Sequence, residues 1–142
     1  MEEASQFGIE LYILGNLLWR HIGEVIRREG LADVTVNHAV VMKYLSEHEE
    51  VYQRDLEAEF QVNRSTITKI MQAMERRGYL RREGDPTDAR RKQLVLTKLG
   101  QELNLRLRTC VEEANQDVLA AISPQEAETL VTIMGKLRQK LE

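Results

Sequence analysis

The chain has 142 residues, 42% of them hydrophobic and 30% charged, with a net charge of −3, two prolines, eight glycines and a single cysteine. That length suits one domain, or one domain with an appended arm, and the composition excludes both a disordered chain and a disulfide-stapled one. The lone Cys110 fits a reducing compartment, the opening MEEASQ lacks a signal peptide's basic stretch, and the longest nearly apolar run, Leu11 to Trp19, is far too short for a bilayer. A cytoplasmic protein with no membrane partner is expected.

Residues 7 to 29 carry apolar side chains at 7, 9, 11 to 14, 17 to 19, 22, 25 and 26. That stripe is too wide for a surface helix with one neighbour. The helix is either central to a large core or buried between subunits, and a chain this small offers little of the former. Gly30 is well placed to end it. Thr35 can cap a second helix with Val40, Val41, Tyr44 and Leu45 inward. After a short connection around Glu49 to Val51, YQRDLEAEF has room for about two helical turns. Asn63 then caps a helix whose inner stripe is Ile67, Ile70, Met71 and Met74, with Val62 placed to staple against Ile67, and Gly78 stops it. The four-residue connection Phe60 to Asn63 joins the two short helices.

From Leu80 to Glu83 and from Arg91 to Leu96 the pattern shifts toward strand, with Asp85-Pro86 starting a type I turn between them. The expectation is a hairpin with a long charged tip. Thr97 caps a long helix whose apolar positions 99, 103, 107, 110, 111, 114, 118 and 122 approach a heptad rhythm. Ser123-Pro124-Gln125-Glu126 is a capping box with proline at the first helical position, so a sixth helix follows, with Leu130, Met134, Leu137 and Leu141 on one face. The fold class is mainly α: about six helices and a two-stranded β-hairpin wing, a winged helix-turn-helix.

The charge is unevenly spread. Between Arg64 and Lys92 there are nine Lys or Arg against four acids, a net +5, which leaves eleven against nineteen elsewhere, a net −8. Such a basic block is either a site for a polyanion or a solvated face. A short helix, a tight turn and a capped helix with a small, polar and basic outer face favour the former, because the second helix of such a unit fits the major groove of DNA. Arg64, Ser65, Thr66, Thr68, Lys69 and Gln72 are the candidate contacts. The small residues let the backbone approach closely.

From Gly30 to Gly100 the sequence resembles the MarR family of bacterial winged helix-turn-helix regulators. The resemblance lies in the segment VNRSTITKIMQAMERRGYL, the wing DPTDARRKQLVLT, and LTKLG opening the next helix, and the flanking helices match in position and character. It implies that Arg90 of the wing enters the minor groove and that Asp88 holds it by an ion pair. Narrow A·T grooves do attract a guanidinium. Arg91 and Lys92 would meet phosphates, which set register rather than sequence preference. It also implies a homodimer built from residues 5–30 and 98–142, with residues 35–97 as the DNA-binding region (recognition helix 63–78, wing 80–97). The partners it implies are double-stranded DNA with a palindromic operator, a second copy, and a small-molecule effector, often aromatic, that releases a repressor. Position in the chain places the expected effector site around His38, Met42 and Tyr44 with parts of the first and fifth helices.

Other chemistry finds little footing. His21, His38 and His48 lack the spacing of a helical zinc site and Cys110 is remote from them, so no metal is expected, and Cys110 reads as a packed thiol. No catalytic motif or glycine-rich phosphate loop is present, so neither an enzyme nor a cofactor is expected. Arg81 and Arg82 are either phosphate contacts or solvated. The competing reading is a winged-helix module that binds a protein through its basic face. Such a face should show aromatic or apolar anchors, and the start of the recognition helix shows none.

Overall fold

The computed structural model describes the backbone of residues 2–31, 33–85 and 88–142, and the side chains of these residues apart from 85–91. The elements run α1 (Glu2–Arg28), α2 (Val36–Glu47), α3 (Gln53–Phe60), α4 (Arg64–Arg76), β1 (Leu80–Asp85), β2 (Asp88–Leu96), α5 (Lys98–Leu119) and α6 (Pro124–Leu141). The capping signals act as expected. Thr35, Asn63, Thr97 and Ser123 each accept a backbone N–H of the first helical turn through the side chain. Gly30 and Gly78 sit at φ +79° and +77°, the left-handed conformation that ends a helix without strain only for glycine.

Three details differ from the sequence-based expectations. Helix α1 begins at Glu2 rather than near residue 7, with two acids in its first turn complementing the helix dipole. The connection between α3 and α4 is one residue shorter, because Phe60 completes α3, and Gln61 makes the turn in a left-handed conformation at φ 51°. The wing has longer strands and a shorter tip. Asp85 pairs with Asp88 across the hairpin, so Asp88, Ala89 and Arg90 lie on β2. The proposed Asp85-Pro86 turn extends beyond the described residues.

Methionine and branched side chains build one core: Ile22, Val25 and Ile26 of α1, Val41 and Met42 of α2, Leu56 of α3, Ile67, Met71 and Met74 of α4, and Leu107 of α5 are nearly or wholly inaccessible. Hydrogen bonds to backbone carbonyls fix the wing to this core at its two ends. Leu94 N–H donates to the Val51 carbonyl at 2.7 Å, a one-residue bridge before α3. At the other end Thr97 N–H donates to Tyr79 O at 3.1 Å and Thr97 Oγ1 donates to Gly78 O. Gly100 explains the closeness of this junction. A Cβ there would stand 2.0 Å from Tyr79 O, so only glycine lets α5 start against the base of the wing.

Outside the core the apolar surface is large. Helix α6 has no buried residue, and Val131, Met134 and Leu141 are exposed together with Ile9, Tyr12 and Leu17 of α1.

Candidate nucleic-acid interface and ligand cavity

Helix α4 buries Ile67, Met71 and Met74 and turns its other side outward. Arg64, Ser65, Lys69, Gln72 and Arg76 are exposed there, so one polar, basic face collects the adjacent Arg64 and Ser65 with residues that follow at steps of three and four. Two of the expected contacts have their hydroxyls already engaged. Thr66 Oγ1 donates to Asn63 Oδ1 at 2.9 Å, and Thr66 N–H shares that acceptor, so its hydroxyl belongs to the cap. Thr68 Oγ1 donates to the Arg64 carbonyl and accepts from Gln53 Nε2, both at 2.8 Å. Gln53, on α3, therefore latches the two helices of the motif together. Its role depends on a contact fifteen residues away in sequence, which no local pattern signals.

The basic block is partly neutralised internally. Arg82 Nε lies 2.6 Å from Glu75 Oε1, tying β1 to α4, and Arg81 Nη2 lies 2.7 Å from Glu83 Oε1 on the same strand. These two cations are engaged with carboxylates. Arg77 reaches back to the Asp33 carbonyl. Lys92 is exposed on β2. The side chains of Asp88, Arg90 and Arg91, and with them the expected Asp88–Arg90 ion pair, lie outside the described residues.

Behind the motif, α1, α2 and α5 line a half-open cavity of about 560 Å³, within the usual range for small-molecule sites. Trp19 and Ile22 come from α1, Val36 and Lys43 from α2, Asn104 and Arg108 from α5. The expected elements line it, but the expected residues do not. Val36, Ala39, Val40, Lys43 and Glu47 form the α2 wall at steps of one helical face. His38 and Met42 point instead into the core at 6% and 0% exposure, and Tyr44 stacks on His48 with ring centroids 3.9 Å apart. A helix face rotated by one residue carries its side chains to a different neighbour.

The histidines have structural partners. His38 occupies the third position of the α2 capping box: Thr35 N–H donates to its Nδ1, and His38 N–H donates to Thr35 Oγ1, both at 3.3 Å. Accepting through Nδ1 requires a neutral ring. Burial, and then the Arg77 guanidinium, hold its pKa below the usual histidine value. His48 Nδ1 donates to the Tyr44 carbonyl at 2.9 Å, and His21 Nε2 lies 3.1 Å from Asp117 Oδ2, joining α1 to α5. Cys110 is buried on α5, and burial, followed by Glu29 and Glu113, pushes its thiol pKa up, the environment of an inert packed cysteine.

A model of the MarR family matches residues 32–91, the motif and the wing just described. Over these residues the chain is similar to the MarR family. A protein of Thauera aromatica named for transcriptional regulation of the hcr operon is 29% identical over 97 residues, which cover 68% of this chain and 58% of that protein. The uncharacterized HTH-type transcriptional regulator YdcH of Bacillus subtilis (strain 168) is 28% identical over 134 residues, 89% of this chain and 91% of its own length. Among solved structures, the PcaV transcriptional regulator of Streptomyces coelicolor, crystallised with its natural ligand, superposes with a TM-score of 0.76 at 25% identity, over 97% of this chain and 93% of that one. MepR of S. aureus, solved in complex with DNA, superposes with a TM-score of 0.81 at 20% identity, over 94% and 97% of the two chains. The latter likeness is one of fold. Among the described residues, no helix is long and apolar enough to cross a membrane.

Proposed function

We propose that this chain is a MarR-family regulator: a homodimeric, sequence-specific DNA-binding transcriptional regulator, a repressor released when a small molecule occupies the cavity between α1, α2 and α5. Helix α4 lies in the major groove, where Arg64, Ser65, Lys69 and Gln72 reach base edges and phosphates. Thr66 and Thr68 hold the helix and its cap in position, and bring backbone close to the groove. Arg90 of the wing enters the minor groove, steadied by Asp88, while Arg91 and Lys92 meet phosphates. Residues 5–30 and 98–142 pair with those of a second copy and set two α4 helices about 34–36 Å apart, one turn of DNA.

The observation that carries the reading is the exposed polar and basic face of α4, capped at Asn63, free of apolar anchors and flanked by a wing. A protein-binding face would be built on aromatic or apolar anchors. The exposed apolar faces of α1 and α6 support pairing, since contiguous apolar patches of this kind mark interaction surfaces. The DNA complex of MepR and the ligand complex of PcaV support the two binding roles by likeness.

The test is selection of bound sequences from random double-stranded DNA by the purified full chain near physiological salt. An enriched inverted repeat with half-site centres about one helical turn apart is expected. Weak, salt-sensitive binding without sequence preference would contradict the reading, because phosphate attraction alone gives that behaviour.

A further inference from the structure

The cavity between α1, α2 and α5 contains a polar group whose chemistry narrows what can occupy it. Asn104 is 4% exposed, and its Oδ1 is fully buried with no hydrogen-bond partner among the described residues. A buried acceptor without a donor is costly, and most such groups in folded proteins are satisfied. Asn104 forms part of the α5 wall of the cavity, beside Leu107 and Arg108. The last torsion of an asparagine is broad and roughly two-fold, so a half-turn about it exchanges the oxygen with the N–H₂ and changes which of the two is offered to a ligand.

The formal charges in the wall balance. Lys43 and Arg108 stand against Glu47 and Glu112 in number, and Lys43 Nζ lies 3.8 Å from Glu47 Oε1. Such a site offers an anion no net compensation for the water it would lose. The apolar part of the wall, with Trp19, Ile22 and Leu107, suits a flat ring.

The geometry points to an uncharged ligand whose ring carries a carboxamide or lactam edge, selected by Asn104. Resting on the proposed reading of this cavity as the effector site, the inference adds its ligand chemistry. An amide edge supplies the N–H that Asn104 Oδ1 lacks and a carbonyl that the asparagine N–H₂ can meet, as asparagine pairs with the mixed donor–acceptor edge of adenine. A site built around such a pair rejects a ligand lacking the donor more strongly than it rejects a change of size.

Benzamide, methyl benzoate and benzoate share one ring and differ at this edge. Each would be titrated into the full chain without DNA, with calorimetry for affinity and fluorescence of Trp19, the only tryptophan in the sequence, to report occupancy of the cavity. Benzamide is expected to bind at least about tenfold more tightly than the other two, and Asn104→Leu should bring benzamide to within about twofold of methyl benzoate. Benzoate binding best, or the three binding equally while quenching Trp19, would overturn the amide-edge inference and leave the cavity as a ligand site. No quenching by any of them would overturn both. The wild-type ranking decides the matter even if Asn104→Leu does not fold.

Discussion

The winged region and the flanking helices treat their apolar residues in opposite ways. In α4 the inner stripe is sealed: Ile67 is 1% exposed and Met71 and Met74 are wholly buried. In α1 the C-terminal part is sealed likewise by Ile22, Val25 and Ile26, but Leu17 is 48% exposed and Tyr12 72%, and α6 buries nothing. The first region completes its core from one chain. The second carries apolar surface that one chain does not cover, which is how a segment looks when its packing partner lies on another molecule. The winged region therefore completes its packing within one chain, while the proposed spacing of two such units would depend on an interface that one chain only half specifies.

The largest effect expected from that difference comes from placing a carboxylate on the open face. Leu17→Glu combined with Met134→Glu should raise the dissociation constant of the dimer by about a thousandfold, about 4 kcal/mol, by burying unpaired charge. Sedimentation should then show single chains with native helicity. A dimer that survives at unchanged strength would mean that these faces are covered in some other way.

Within the sealed region, Gly100→Ala should cost about 3 kcal/mol in urea unfolding, because a Cβ 2.0 Å from a backbone carbonyl forces α5 away from the wing. Wild-type stability in that variant would show that the junction yields more easily than its geometry indicates. A third test concerns the wing as a reader. Arg90→Ala should weaken operator binding by about 1–3 kcal/mol and flatten A·T preference beside each half-site, measured by titration against operator variants. Unchanged affinity and preference would remove Arg90 from the minor groove. Arg91→Ala should weaken all sequences about equally and lower the salt slope by about one. A loss confined to particular sequences would contradict a phosphate role.

The smallest effect is a pH dependence of the α2 cap. His38 has its folded pKa lowered, so the unfolded chain takes up its proton first as pH falls. This contribution to stability is full above the unfolded value of about 6.5, and is lost as pH drops from there toward the folded pKa, at no more than about 1.4 kcal/mol per pH unit. His38→Gln keeps a capping-box acceptor without the titration, and should flatten this part of the pH profile in urea melts. An unaltered profile would assign the dependence to other groups.

Much of the fold was legible because its signals are local. Thr35, Asn63, Thr97 and Ser123 each cap a helix through bonds that span three residues, and Gly30 and Gly78 mark the stops. The apolar stripe of α4 is equally plain, since 3.6 residues per turn fixes which side chains share a face. The engaged hydroxyls of Thr66 and Thr68 were less legible. The sequence shows polar residues on an outer face without showing that Asn63 and Gln53 already bond them. The wing's strand length also escaped, because charged residues at a hairpin end carry little strand signature while ladder hydrogen bonds extend pairing to Asp85 and Asp88.

The sequence by itself determined the order of the elements, their caps, the basic face of α4 and the excess of apolar surface in α1 and α6. Each depends on residues within a turn or two of one another. Tertiary structure alone decided that Arg82 is spent on Glu75, that Val51 anchors the wing, and that Val36 and Lys43 rather than His38 and Met42 face the cavity with Asn104. The physical reason is the same for most of these. A helix or strand fixes which residues share a face, but the rotation of that face toward a neighbour is set by how whole elements pack, and a few tens of degrees there exchange one set of contacts for another.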